Sequence, residues 1–172
     1  MATSAPQIAR SELTWRALRE EDLACVATLE AKIHAAPWTL GNFRDALAAG
    51  YATQVGERDG RIVAYGVLMS GPGEAQVLNL SVIPPCRREG LGRRLLQRLI
   101  DDARRLGAEQ VFLEVRVSNT AAIALYHAEG FGEVARRGEY YPPSRPGDVR
   151  EDALVMRREV TPLRAAPLAH RP

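Results

Sequence analysis

The stretch CRREGLGRRLLQRLI, from Cys86 to Ile100, constrains this chain more than any other. Two glycines stand among arginines, and an amphipathic helical pattern begins directly behind them. A loop that only turns needs one glycine. A loop that lets a ligand approach its backbone needs small residues and free N–H groups, and the helix behind it adds amides and a positive dipole end. Leu91, Leu95, Leu99 and Leu106 recur on one face of that helix, with Arg94, Arg98, Asp101 and Arg105 on the other, so the loop is anchored to a core. Arg88, Glu89, Gly90, Leu91, Gly92 and Arg93 would then turn consecutive N–H groups toward an anion such as a pyrophosphate. No Gly-Lys-Ser/Thr closes the loop, which excludes a Walker-type phosphate loop. The dinucleotide fingerprint is excluded too, because there is no third glycine and no acidic ribose partner. Taken alone, the same residues also describe a glycine-softened helix start with a solvated basic face.

The surrounding pattern supplies the context. A short strand at Thr14–Leu18 is followed by helical spacing over Glu20–Ile33, with Leu23, Val26, Ala27 and Glu30 in phase. Thr39 is placed to cap a second helix reaching Leu47. Two strands meet at Asp59-Gly60, a hairpin signal, and EAQVLNLSVI gives a third antiparallel strand after Gly71–Gly73. Beyond the basic helix, which Gly107 ends, QVFLEVRV alternates as a strand. SNTAAIALYHAEG reads as a capped helix stopped by Gly130, and two final strands flank YPPSRPGD. The order is β-α-α-β-β-β-α-β-α-β-β, an α+β fold with a mixed central sheet of about seven strands flanked by about four helices. Residues 13–159 are expected to form a single domain, with 1–12 and 160–172 as mobile tails.

Composition narrows the function classes. A chain of 172 residues can bury a core without metal or disulfide help. Cys25 and Cys86 are too few and too isolated for a disulfide framework, which fits a reducing compartment. No apolar leader or membrane-length stretch is present, so a cytoplasmic protein is expected. A net charge of +2 gives no support for general nucleic-acid binding, although Lys32 is the only lysine among 23 basic residues. The three histidines have no metal-ligand spacing, and no metal is expected.

Three residues in the second half carry possible chemistry. Glu114 sits mid-strand between apolar neighbours, where a carboxylate can serve as a base, or can simply pair with Arg116 or another cation. Asn119 opens the following helix, where its plainest role is an N-cap. Tyr126 lies two helical turns further on, where a tyrosine is more often core than catalyst.

The segments LNLSV, RREGLGRRLLQRLI and VFLEVRVSNTAAIALYHAEGF, in this order and spacing, resemble the GNAT acetyltransferase superfamily. Within it they are most similar to the bacterial ribosomal-protein-alanine N-acetyltransferases. HAAPW and YYPPSRPGDVREDALVM extend the resemblance across Leu13–Arg158. It implies the GNAT-type acyl-CoA fold, with acetyl-CoA as co-substrate. By the same resemblance, Arg88–Arg93 would bind the CoA pyrophosphate, and the backbone of Leu80, Ser81 and Val82 would pair with pantetheine and the acetyl carbonyl. Asn119 would contact the cofactor, Glu114 would accept the proton and Tyr126 would donate one. Trp38, Tyr140 and Tyr141 would form walls for a peptide end. The implied partner is the N-terminal segment of a ribosomal protein, that of small-subunit ribosomal protein eighteen, whose alanine α-amine is acetylated by a monomeric enzyme.

Two positions depart from the branch. Cys86 stands where an aromatic residue is common, and the Pro142–Pro146 stretch bears on the acceptor wall. A base with no visible cationic helper suits an α-amine better than a lysine. The competing readings are acetylation of a lysine side chain or small amine, and a non-catalytic acetyl-CoA-sensing module.

Overall fold

A computed structural model describes residues 12–143 and 147–163. Seven strands form one sheet: β1 (Leu13–Arg16), β2 (Ala52–Arg58), β3 (Arg61–Gly71), β4 (Glu74–Val82), β5 (Gln110–Arg116), β6 (Gly132–Tyr141) and β7 (Glu151–Glu159). They lie in the order β1-β2-β3-β4-β5-β7-β6. Every pairing is antiparallel except β4 with β5. A parallel pair needs a crossover, and the basic helix α3 (Leu91–Arg105) supplies it. The remaining helices are α1 (Leu23–Ile33), α2 (Leu40–Ala48) and α4 (Thr120–Ala128). The expected element order, strand number and helix number all match. No helix among the described residues is long and apolar enough to cross a membrane.

The two faces of the sheet carry separate cores. On one, Leu95, Leu96, Leu99 and Ile100 of α3 pack with Val111, Leu113 and Val115 of β5, Tyr126 of α4 and Met156 of β7. On the other, Val26 of α1 and Phe43 of α2 cover Val55, Tyr65 and Val67. The β2–β3 hairpin turns at Asp59 (φ 52°) and Gly60 (φ 69°), both left-handed, as a two-residue turn matched to strand twist requires.

Two sequence expectations shift. Glu20–Asp22 forms a separate 3-10 turn rather than the first turn of α1. Leu106, expected on the buried face of α3, is 52% exposed, because the helix ends at Arg105 and the apolar stripe closes with Ile100 and Ala103. The first 11 residues and 164–172 lie outside the described residues, as do 144–146 of the proline-rich stretch. Past β7, the Val160 N–H donates to Glu109 O and the Leu163 N–H to Arg104 O, at 2.8 and 2.9 Å.

At Gly66 α3 lies close against the sheet. A Cβ there would stand 2.9 Å from Leu99 Cδ1 and 3.1 Å from the Asn79 carbonyl oxygen. Leu99 is fully buried and has nowhere to move. Gly66→Ala is expected to destabilise the fold by about 1–3 kcal/mol through overpacking, read as a lowered Tm in thermal unfolding. An unchanged Tm would show that the layer can open at no cost.

Candidate active site

The central feature is a splay between β4 and β5. Their pairing runs only from Glu74↔Gln110 to Val77↔Leu113, whereas β4 stays paired to β3 as far as Val82. Beyond Val77, the β5-facing edge of β4 has no strand partner among the described residues. Backbone N–H and C=O groups along such an edge are available to a ligand. Leu80, Ser81 and Val82 lie on this free edge.

A bulge sets which side chains face the opening. Val67 pairs with Asn79 and Leu68 with Val77, so Leu78 is an extra residue on β4. Before it, Ala75 and Val77 face the α3 core; after it, Leu80 and Val82 do. One inserted residue thus turns Asn79 and Ser81 toward α1.

Between the splayed strands lies a cleft of about 200 Å3. Its lining brings together Trp38, Leu80, Ser81, Glu114, Asn119, Tyr126 and Tyr141, drawn from six separate parts of the chain. Glu114 also borders a second groove of about 390 Å3 that includes Met69, Phe112, Arg137 and Val155, so it stands between two openings. A larger hollow of about 680 Å3, between α3 and the end of β7, contains none of the expected residues; its size reflects a polar surface depression.

Each expected side chain has a definable setting. Tyr126 is 7% exposed, packs at a tilt against Phe131 at 6.0 Å, and burial pushes its hydroxyl up to about 12. That hydroxyl stays protonated throughout the neutral range. Tyr141 is half-buried, with the Arg116 guanidinium 4.4 Å over its ring, and burial pushes it up to about 12 as well. Arg116 is itself fixed by Glu151 at 3.1 Å. Asn119 Oδ1 accepts the Ala122 N–H at 3.2 Å, so it caps α4 while bordering the cleft. Trp38 packs on Phe43 at 5.2 Å.

Tyr140 is separate from this wall. It is exposed, meets Tyr141 edge-on at 5.1 Å, and is raised above the ordinary tyrosine range chiefly by hydrogen bonding to Glu114. Glu114 has a cation beside it after all: Arg137 Nη1 lies 3.0 Å from its Oε1. The sequence expectation of a carboxylate without a cationic helper fails. Arg137 comes from β6, which β7 separates from β5 in the sheet, a proximity that no local pattern could reveal.

The glycine-rich loop forms the far end of the opening. A 3-10 turn at Pro84–Cys86 leads to Arg88 (φ 67°) and Gly90 (φ 79°), and Gly90 is the N-cap of α3. Gly90 has no side chain to offer, so the first-turn amides of α3 receive no side-chain cap. At Gly92 a Cβ would meet only Leu125 Cδ2 at 3.5 Å and Val82 Cγ2 at 3.9 Å, ordinary contacts, so the fold itself tolerates a side chain there. Glu89 pairs with Arg58 at 2.8 Å, and Arg93 with Glu129 at 2.8 Å. Uncapped amides, a left-handed glycine and surrounding guanidinium groups fit a pyrophosphate.

Sequence reading missed one cluster. Glu30 of α1 is 2% exposed and accepts hydrogen bonds from Tyr65 Oη at 2.6 Å, Asn79 Nδ2 at 3.0 Å and the Trp38 N–H at 3.3 Å. His34, one turn on, places Nε2 2.7 Å from Ser81 Oγ and 3.6 Å from Glu30 Oε2. Both residues line the cleft. The available signal was a carboxylate in phase with the apolar stripe of α1, at Leu23, Val26 and Ala27. No group of three or more metal-ligating side chains occurs among the described residues.

The acetyltransferase (GNAT) family model matches residues 12–131. A [ribosomal protein bS18]-alanine N-acetyltransferase of Escherichia coli strain K12 is 38% identical over 143 residues, covering 83% of this chain and 95% of that one. The crystal structure of the ribosomal-protein-S18-alanine N-acetyltransferase from Escherichia coli superposes with a TM-score of 0.80 at 34% identity. It covers 93% of this chain and 100% of its own. A Salmonella typhimurium structure carrying its cofactor acetyl-CoA superposes with a TM-score of 0.73 at 25% identity, covering 92% of this chain and 99% of its own.

Proposed function

This chain belongs to the acetyltransferase (GNAT) family, and from that premise we propose that it transfers the acetyl group of acetyl-CoA to the N-terminal alanine α-amine of a ribosomal protein, small-subunit protein eighteen. The observation that carries the reading is the splay of β4 from β5, which leaves a free backbone edge beside Glu114 and Tyr126. The substrate class is supported by the 38% identity to an enzyme with that name.

Acetyl-CoA supplies an activated thioester. The first-turn amides of α3 and the backbone N–H groups from Arg88 to Arg93 hold its pyrophosphate, and the edge of Leu80–Val82 pairs with the pantetheine. Asn119 borders the same path. A backbone N–H of β4 polarises the acetyl carbonyl, an arrangement that favours the tetrahedral intermediate over the ground state. Glu114 attracts the incoming amine and accepts a proton from it, directly or through water. Tyr126 donates a hydrogen bond to the departing sulfur. A phenol at about 12 is a much weaker acid than a thiol at about 8.5, so this donation stabilises the thiolate and does not fully protonate it. Trp38 and Tyr141 wall the entry, with Tyr140 outside them beside Glu114.

The cofactor half of the reading is tested at Gly92. Gly92→Val adds a Cβ that meets only ordinary contacts and places its γ-methyls where the pyrophosphate must meet the backbone, with an unchanged Tm as the check that the fold is kept. Calorimetry is expected to show a loss of acetyl-CoA affinity of at least about tenfold, or ~1.4 kcal/mol. Unchanged affinity would remove the loop from the site. The acceptor half is tested by incubating the protein with acetyl-CoA and N-terminal peptides and locating the acetyl group by mass spectrometry. Acetyl on the α-nitrogen is expected; acetyl confined to lysine would overturn the reading.

A further inference from the structure

We propose that His34 is a second proton acceptor in acetyl transfer, held in place by Glu30 and Ser81; the inference rests on the acyl-transfer reading above. An α-ammonium that becomes a secondary amide loses two N–H protons while a new C–N bond replaces the C–S bond. One proton ends on the released thiol and the other in solvent. Glu114 can take one at a time, and its carboxylate is already engaged by Arg137 and Tyr140. A second acceptor in the same cleft would let the nitrogen shed its remaining proton as the tetrahedral intermediate collapses.

The geometry selects His34 and its tautomer. The Ser81 hydroxyl has a single proton, and its other two neighbours are acceptors, Asn79 Oδ1 at 3.1 Å and Glu30 Oε2 at 3.5 Å. We assign the Ser81 proton to one of these two acceptors, so that the 2.7 Å contact from His34 is Nε2–H donating to Ser81 Oγ. That fixes the proton on Nε2 and leaves the lone pair of Nδ1, which has no hydrogen-bond partner among the described residues. Glu30, itself held by Tyr65, Asn79 and the Trp38 N–H, stands 3.6 Å from the ring to stabilise the imidazolium that forms. This is the logic of a base oriented by a third group. Ser81 lies on the free edge of β4, so the ring borders the same cleft as the proposed acetyl site.

Charge around the ring favours the neutral form. Burial pushes His34 below its ordinary value; Arg87 and Arg116 push the same way, and Glu30 opposes them. Tyr65 meets Glu30 from β3, and Glu114, Tyr126 and Tyr141 line the same cleft as the ring. A ring held below its ordinary value is neutral, and so able to accept a proton, across the neutral range. With 39% of its side chain exposed, the ring can pass its proton on to water.

The test uses the full chain, acetyl-CoA and a free-amine alanine peptide between pH 5.5 and 8. For the wild type, log kcat/KM should climb with a slope of about one below pH 8, from deprotonation of the amine, and steepen toward about two below the His34 pKa. His34→Gln should lower kcat by about 10²-fold, keep a slope of about one throughout, and leave acetyl-CoA affinity and Tm unchanged. His34→Gly should regain activity when imidazole is added. An unaltered profile and kcat in His34→Gln, or a loss matched by equal loss of cofactor affinity with no rescue by imidazole, would overturn the role of His34. No wild-type transfer to the alanine peptide would instead overturn the function reading on which it rests.

Discussion

Peptides that begin with alanine and have a free α-amine will be acetylated, and the same peptides with that amine blocked will not react. A protein α-amine has a pKa near 7.7–8.0 and a lysine side chain one near 10.4, a gap of about 2.5 units or roughly 3 kcal/mol. At neutral pH the neutral nucleophile is therefore about two orders of magnitude scarcer for lysine. Arg137 adds to the discrimination, since a guanidinium 3.0 Å from Glu114 opposes the entry of a fully protonated lysine. In the proposed function the first side chain enters beneath Trp38 and Tyr141, which line the cleft, Tyr141 being braced by Arg116. Alanine and serine should react well and bulky first residues poorly, read as kcat/KM across a peptide series that varies only at residue one. An acetylation rate on an internal lysine of a blocked peptide equal to that of the free alanine peptide would make this a lysine acetyltransferase.

Tyr126→Phe and Glu114→Gln should each lower turnover by orders of magnitude while acetyl-CoA binds as before. For Tyr126 the expected loss is about 10²–10³-fold, the usual effect of deleting one preorganised donor at a site of developing charge. The substitution removes a single oxygen, and the ring keeps its packing on Phe131. For Glu114 the expected loss is about 10²–10⁴-fold. The amide that replaces the carboxylate keeps an acceptor for Arg137 but cannot take a proton. Rapid-quench assays that separate chemistry from release, with calorimetry for the cofactor, make the measurement. If both variants turn over at nearly the wild-type rate, Glu114 is an ion-pair partner of Arg137 and Tyr126 is a core tyrosine.

Legibility of the site divides along physical lines. Glu114 and Tyr126 can be singled out because each sits in a segment whose period is clear. In VFLEVRV the first three odd positions, Val111, Leu113 and Val115, are buried and the even ones only half-buried, as the structure has them. Asn119 is readable as a cap for the same local reason. His34 and Glu30 escape such a reading, since their meaning depends on β4, some 50 residues further along the chain. The grouping of Tyr140 with Trp38 is partly mistaken: adjacent strand residues point to opposite sides, so Tyr141 reaches the cleft and Tyr140 reaches Glu114 from outside it.

Local periodicity and turn chemistry in the sequence by themselves determined the order of elements, the capped helices, the basic loop with its uncapped helix start, and the two apolar faces. Those features follow from interactions within a few residues, where spacing along the chain equals spacing in the molecule. Tertiary structure alone decided where β4 leaves β5, that Leu78 bulges and turns Asn79 and Ser81 toward α1, that Arg137 reaches Glu114, and that Glu30 gathers distant parts of the chain around His34. The physical reason is register. A single inserted residue reverses which side chains face the cleft, and pairing across the sheet sets the neighbours of every polar group, neither of which leaves a trace in the period of any one strand.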